Sequence, residues 1–177
     1  MQMKQKKVWI LSGCPGSGKS TWCRNRIAES GGVHCSRDEI RFSLLKEGED
    51  YFSHEDEVFA LWLEKVINAI NDPEVEDIYV DATHLTEKSR VKVLNELPKG
   101  DYFVTTVFFD VPLETCIKRN DNRTGRAFVP HSVIRRMHAI YDQNTKLGDA
   151  TLHLDENGEG RGITLHLDEN GEWRGID

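Results

Sequence analysis

The residues Gly13, Cys14, Pro15, Gly16, Ser17, Gly18, Lys19 and Ser20 match the pattern G-x-x-x-x-G-K-[ST] at every constrained position. Glycines at this spacing let the backbone curl until successive N–H groups point into one concavity, capped by the positive end of the helix that follows. A nucleoside triphosphate, ATP first, is the ligand such a nest selects. Lys19 can set its ammonium between the β- and γ-phosphates, while the Ser20 hydroxyl is short enough to ligate a bridging Mg²⁺. Thr21 continues the helix within reach of the α-phosphate. A glycine turn without a ligand would show the same letters, so the flanks carry weight. Val8 to Leu11 is a short apolar run and Lys19 to Ala28 is helix-compatible, which makes the order strand, loop, helix.

Two carboxylates and a group of arginines are the other candidates. Asp38 follows the segment Val33-His34-Cys35, and Asp81 closes Ile78-Tyr79-Val80. Ligands gather beyond the carboxyl ends of strands in a parallel sheet, so both acids should face the phosphate loop. One could act as general base on an acceptor hydroxyl and the other hold metal-bound water. Asp38 has a plainer alternative, because an acid in a first helical turn also answers the helix dipole. Arg119, Arg123 and Arg126 crowd a stretch that could close over ATP, or simply be a solvated loop.

These residues need a scaffold in which strands and helices alternate. Arg37 to Lys46 reads as a short helix. Ser53 followed by Asp56 resembles an N-terminal cap, and Val58, Phe59, Leu61, Trp62, Leu63, Val66, Ile67 and Ile70 then recur at helical spacing as a core-packing stripe. Glu87 to Leu97 reads as a helix stopped by Pro98, Tyr102 to Phe109 as a fully buried strand, and Leu113 to Asn120 as a helix. A loop at Asp121 to Val129 and a last helix from His131 to Gln143 complete the series. The fold class is therefore α/β, a parallel sheet flanked by helices, over residues 1–150.

Residues 151–177 read as a separate acidic tail. Thr151 to Ile163 is followed at once by Thr164 to Ile176, identical except for Gly160 against Trp173. Each copy sets Asn-Gly between alternating residues, the mark of a two-residue hairpin turn. Such turns would place Leu152 opposite Ile163, Leu165 opposite Ile176, Glu156 opposite Glu159 and Glu169 opposite Glu172. Tandem β-hairpins result, and because a lone hairpin is marginal in water they should pair with the sheet edge or with another chain as a homo-oligomer, or else stay loosely ordered.

Composition excludes several classes. The 177 residues can bury a core without metal or disulfide help. Cys14, Cys23, Cys35 and Cys116 show no C-x-x-C or zinc spacing, and no apolar stretch reaches membrane-spanning or secretory-signal length, so a cytoplasmic protein without membrane contact is expected. The net charge of −7 argues against a broad nucleic-acid surface. Seven acids against Arg161 and Arg174 put −5 of that charge in residues 151–177, leaving −2 for the rest, which suits a site touching a few phosphates at a strand end.

Taken together, G-C-P-G-S-G-K-S-T-W (Gly13 to Trp22), S-R-D-E-I-R (Ser36 to Arg41), D-A-T-H-L (Asp81 to Leu85), F-D-V-P (Phe109 to Pro112), I-K-R-N-D-N-R (Ile117 to Arg123) and V-P-H-S-V-I-R-R-M (Val129 to Met137) resemble phage-type polynucleotide 5′-hydroxyl kinases in order and spacing over residues 7–145. The resemblance implies a P-loop kinase domain without an attached phosphatase domain. It would use ATP and Mg²⁺ to phosphorylate the 5′-hydroxyl end of DNA or RNA, in nucleic-acid repair in a bacterial or phage-infected cell. Asp38 would be the general base, Arg41 and Thr83 would hold the acceptor's neighbouring 3′-phosphate, Arg123 would reach the γ-phosphate and Arg119 would help bind ATP. In the phage pattern an Asp stands directly before the Thr matched by Thr83; here Ala82 stands there and Asp81 is one residue earlier, so the task of Asp81 stays open. His84 occupies a position where Asn is expected, as a structural residue or otherwise. A small-molecule P-loop kinase, which needs a closed pocket, and a non-catalytic ATP-binding regulatory module are the alternatives.

Overall fold

The computed structural model describes residues 4–144 and 148–166. Strand β1 (Lys6–Ser12) leads through the glycine loop into helix α1 (Lys19–Ser30), as its apolar run and the loop spelling predict. There follow β2 (Val33–Ser36), α2 (Arg37–Leu44), α3 (Glu55–Asn71), β3 (Asp77–Asp81), α4 (Glu87–Glu96), β4 (Tyr102–Phe109), α5 (Leu113–Asp121), a 3-10 turn at Gly125–Ala127, α6 (His131–Ile140), β5 (Ala150–Leu154) and β6 (Gly160–Leu165). The strands form one sheet in the order β2-β3-β1-β4-β5-β6. Neighbours from β2 to β5 run parallel, and β6 closes the edge antiparallel to β5.

Period two along the strands divides the core between the two faces of the sheet. Val8, Ile10, Ile78 and Val80 pack on Trp62 and Val66 of α3 and Val93 of α4. Leu11, Tyr79, Val107 and Phe109 pack on Cys23 of α1, Cys116 of α5 and Ile134 of α6. The two-sided burial explains why the central strands read as continuous apolar runs rather than alternating ones. Register then sets the site: Ser36 pairs with Asp81 and Asp81 with Leu11, so the carboxyl ends of β2, β3 and β1 finish in one row.

Local expectations are adjusted in three places. The cap position of α3 is His54, with no side-chain cap bond, rather than Ser53; the acids Glu55, Asp56 and Glu57 in its first turn face the helix dipole instead. Leu61, expected in the apolar stripe, is exposed, while Val58, Trp62, Val66 and Ile70 are buried. Helix α6 stops at Ile140, short of Gln143, because tertiary bonds draw the chain off the helix: Tyr141 Oη donates to the Ser12 carbonyl at 2.7 Å and Asp142 N–H to the Leu85 carbonyl at 2.8 Å.

The first hairpin of the repeat joins the sheet edge through β5, with Leu152 opposite Ile163 as expected. Its turn differs from a two-residue one. Gly158 N–H donates to the Asp155 carbonyl and Asp155 N–H to the Glu159 carbonyl, a three-residue loop with Gly158 in the left-handed region at φ 73°. Glu159 therefore sits opposite Asp155, not Glu156. An extra residue opposite the stretch between Leu152 and Leu154, beside Gly162 at φ 110°, then restores the outer register. The pairs Leu165 with Ile176 and Glu169 with Glu172 lie outside the described residues.

Candidate active site

The glycine loop owes its shape to left-handed backbone at Gly16 (φ 82°) and Gly18 (φ 90°). A Cβ at Gly16 would collide with the Cys116 carbonyl of α5, so the glycine also permits close packing. Gly13 and Cys14 are buried, Pro15 is half-buried, and Ser17 folds back with its N–H on the Cys14 carbonyl at 3.1 Å. Lys19 is buried, its Nζ 3.0 Å from the Cys14 carbonyl and 3.5 Å from Ser17 Oγ. Burial lowers its pKa, opposed by the charges of Asp81 and Asp38. Thr21 stands exposed in the first turn of α1.

Ser20 Oγ donates to Asp81 Oδ2 at 2.7 Å. The same oxygen accepts from His34 Nε2–H at 2.7 Å, a partner that sequence reading missed. Burial alone would raise the Asp81 pKa; the His34 bond, the Lys19 charge and the Ser20 hydroxyl outweigh it and keep the carboxylate ionised. His34 carries one weak sequence signal, a polar ring inside an otherwise apolar strand next to the acid's strand.

Asp38 lies in the first turn of α2, whose cap is already filled by Ser36 Oγ accepting from Glu39 N–H. The Asp38 carboxylate instead receives Arg41 Nη1 and, at 2.7 Å, the Tyr51 hydroxyl. Its side chain is 60% exposed, whereas that of Arg41 is 6% exposed. Arg41 is further committed to Glu55, with Nε 2.8 Å and Nη2 2.6 Å from Oε1. Glu55 also takes Arg37 Nη2 at 3.0 Å through its other oxygen. Burial and the adjacent Asp38 charge push the Tyr51 phenol up, so it remains a donor. Tyr51 and Glu55 were not among the sequence candidates, because contacts across 13 and 14 residues follow no helical or strand period.

The arginines separate. Arg119, in the last turn of α5, brings Nη1 to 3.5 Å from the Gly16 carbonyl and 3.4 Å from that of Ser17, and Nη2 to 2.5 Å from the Glu156 carbonyl of the hairpin turn. Arg126 Nη1 donates to the Leu45 carbonyl at 2.9 Å, bridging the loop to the end of α2. Arg123 is exposed, and its side chain makes no hydrogen bond among the described residues. The structure thus gathers Lys19, Ser20, Asp81 and Arg119 at the glycine loop and pairs Asp38 with Arg41 beside it, while Arg123 stays out in solvent.

The segment after β3 ties these groups to the sheet. Gly13 N–H donates to the Thr83 carbonyl at 2.9 Å, Ser12 Oγ to the His84 carbonyl at 2.8 Å, and His84 Nδ1–H to the Leu11 carbonyl at 2.6 Å. His84 is 3% exposed and adopts φ 42°. A hydroxyl and an ionised carboxylate side by side suit Mg²⁺, which takes few protein oxygens and keeps waters and phosphate oxygens for the rest. Among the described residues no cluster of three or more His, Cys, Asp or Glu side chains is placed to hold a metal ion by itself. Ser20 and Asp81 would hold it, and Lys19 with Arg119 would meet the phosphates.

Residues 8–143 match the family model described as AAA domain. The chain belongs to the AAA domain family. Its fold is that of a P-loop kinase. It is 31% identical over 126 residues, 68% of this chain and 67% of the other, to a cytidylate kinase of Ignicoccus hospitalis. Among solved structures, it is similar to a chain of the Pnkp1/Rnl/Hen1 RNA repair complex, with 28% identity and a TM-score of 0.66 over 77% of this chain. The chain spans 44% of that partner's length. A sugar kinase of Janibacter sp. HTCC2649 (24% identity, TM-score 0.60, 86% of each chain) and a fungal RNA kinase (14% identity, TM-score 0.61, 97% of this chain and 80% of the other) share the fold. No helix among the described residues is long and apolar enough to cross a membrane.

Proposed function

We propose that this P-loop kinase transfers the γ-phosphoryl group of ATP to the 5′-hydroxyl end of DNA or RNA. The observation that carries the reading is the Asp38 carboxylate, 60% exposed at the row of strand ends yet oriented by the buried Arg41 and by Tyr51. An open carboxylate suits a bulky polymer end better than a small molecule that must be enclosed. The likeness to a chain of an RNA repair complex supports the same substrate class.

Transfer then follows from the placement. As the acceptor oxygen forms its bond to the γ-phosphorus, its proton passes to Asp38, and the bond from that phosphorus to the β–γ bridging oxygen breaks to leave ADP. Lys19, released from the Cys14 carbonyl, and Arg119 take up the charge that spreads over the phosphoryl oxygens, and Arg123, exposed in the segment after α5, turns in to add a third cation. Mg²⁺, which Ser20 and Asp81 would hold, would supply further neutralisation of phosphate charge. Arg41 and Thr83 flank the acceptor's neighbouring phosphate, for which Arg41 exchanges part of its pairing with Asp38 and Glu55.

A second reading, transfer to a small molecule, draws on the likeness to a cytidylate kinase. Incubation with labelled ATP, Mg²⁺ and a panel of 5′-hydroxyl oligonucleotides, nucleosides, nucleoside monophosphates and sugars separates the two. Label on the oligonucleotides is expected; label only on a small acceptor transfers the assignment to the second reading.

A further inference from the structure

The first hairpin of the repeat grips helix α5 and the residues just ahead of it. The Leu154 carbonyl accepts from Asp110 N–H at 2.8 Å, and Arg161 Nη1 pairs with Asp110 Oδ2 at 3.0 Å. Further along, Thr115 Oγ1 donates to Glu156 Oε2 at 2.9 Å, and one turn later Arg119 Nη2 donates to the Glu156 carbonyl at 2.5 Å. Thr115 and Arg119 stand four apart in α5, so one face of the helix meets one residue of the hairpin turn. The turn is stiffened from within, because Asp155 Oδ1 accepts from Asn157 N–H at 2.9 Å and from Glu159 N–H at 3.0 Å.

These contacts decide where the Arg119 guanidinium stands. Its bond to Glu156 is short, whereas its approaches to the Gly16 and Ser17 carbonyls, at 3.5 and 3.4 Å, lie beyond the usual N–H···O range. The turn therefore fixes the group, and the glycine-loop contacts are the ones that phosphate oxygens can replace. A guanidinium has five N–H donors and the turn carbonyl engages one of them, so donors remain for phosphate. The turn carbonyl is also uncharged. Among the described residues no carboxylate pairs with Arg119, which keeps its whole charge for the nucleotide. The Glu156 carboxylate belongs to the residue whose carbonyl Arg119 already touches, and an ion pair between the two would be stronger than the carbonyl bond. The Thr115 hydroxyl holds that carboxylate on its own side.

We propose that Thr115 and Glu156 are positioning residues for the ATP site: the Glu156 carbonyl aims Arg119 at the glycine loop, and the Thr115 hydroxyl keeps the Glu156 carboxylate from neutralising it. The inference rests on the reading that Arg119 meets the phosphates of ATP, and it is independent of the acceptor. It gives the first copy of the repeat a part in nucleotide binding.

Titration of the full chain with ATP and Mg²⁺, without acceptor, tests it. Arg119→Ala should weaken ATP by about tenfold or more, the usual loss for hydrogen bonds to a charged group. Thr115→Val keeps the side-chain shape without the hydroxyl and should weaken ATP by about two- to fivefold, the range of an exposed ion pair between the freed carboxylate and Arg119. Thr115→Ser, which retains the hydroxyl, should restore the parent affinity. Thr115→Val should have no further effect in a Glu156→Gln background, where no carboxylate is freed, or in an Arg119→Ala background, where no cation is left to capture. Parent affinity in Thr115→Val overturns the inference while Arg119 keeps its phosphate role. The same loss from Thr115→Val in all three backgrounds also overturns it, marking Thr115 as a residue of the fold. Parent affinity in Arg119→Ala overturns the phosphate role of Arg119 and the inference together.

Discussion

A carboxylate can serve as a general base only when it is held at the right angle and its proton-accepting lone pair stays free. Asp38 meets this condition because Arg41 and Tyr51 both bind Oδ1, leaving Oδ2 without a partner among the described residues. It makes no hydrogen bond to the glycine loop. Asp38→Ala should therefore lower kcat by about 10²- to 10⁴-fold, the usual share of general-base catalysis, while the ATP dissociation constant changes little. Steady-state rates with an oligonucleotide acceptor and nucleotide titration measure the two separately. Equal loss of both would make Asp38 a structural residue.

At the scale of elements, the loop between β3 and α4 is bonded to the glycine loop and to the end of β1, and His84 is its buried anchor. The sign of its pH effect follows from burial. The folded ring stays neutral down to about pH 4, whereas the unfolded one takes up a proton below its ordinary value of 6.5. Between these values the unfolded state binds more protons, so stability rises with pH across that window. The contribution is complete above pH 6.5 and is lost as pH falls toward 4, on the order of 3 kcal/mol in all. Urea unfolding at pH 7 and pH 4.5 should show a steeper loss for the parent than for His84→Asn; parallel losses would assign the acid sensitivity to other groups.

Across the whole molecule, the repeat poses a choice of which of two nearly identical copies occupies the sheet edge. The first copy wins through what precedes it. Asp149 Oδ2 accepts from the Val104 N–H at 2.8 Å, Ala150 is 1% exposed, and Gly148 runs at φ 78° close against Val104. The second copy is preceded by Arg161-Gly162-Ile163, which offers no carboxylate and too large a side chain for the Ala150 site. Deleting residues 151–163 restores the favourable flank to the second copy. A Cβ in the place of Gly160 meets Leu152 and Leu154 at ordinary contact distances of 3.4 and 3.8 Å, so the backbone position taken by Trp173 accepts a side chain without a Cβ clash. The deleted chain should melt within about 5 °C of the parent, a change of order 1 kcal/mol. Failure to fold would show that both copies are needed.

The sequence by itself determined the phosphate nest and the strand–helix alternation, because each depends on neighbours within a few residues. Glycine at fixed offsets bends the chain wherever it occurs, and apolar periodicity declares a face without reference to its partner. Only the tertiary structure decided the strand order, the early end of α6, and the company each acid keeps. His34 reaches Asp81 across 47 residues, and Glu55 joins Arg37 to Arg41. Whether a buried polar atom is satisfied depends on everything packed around it, which no local pattern records.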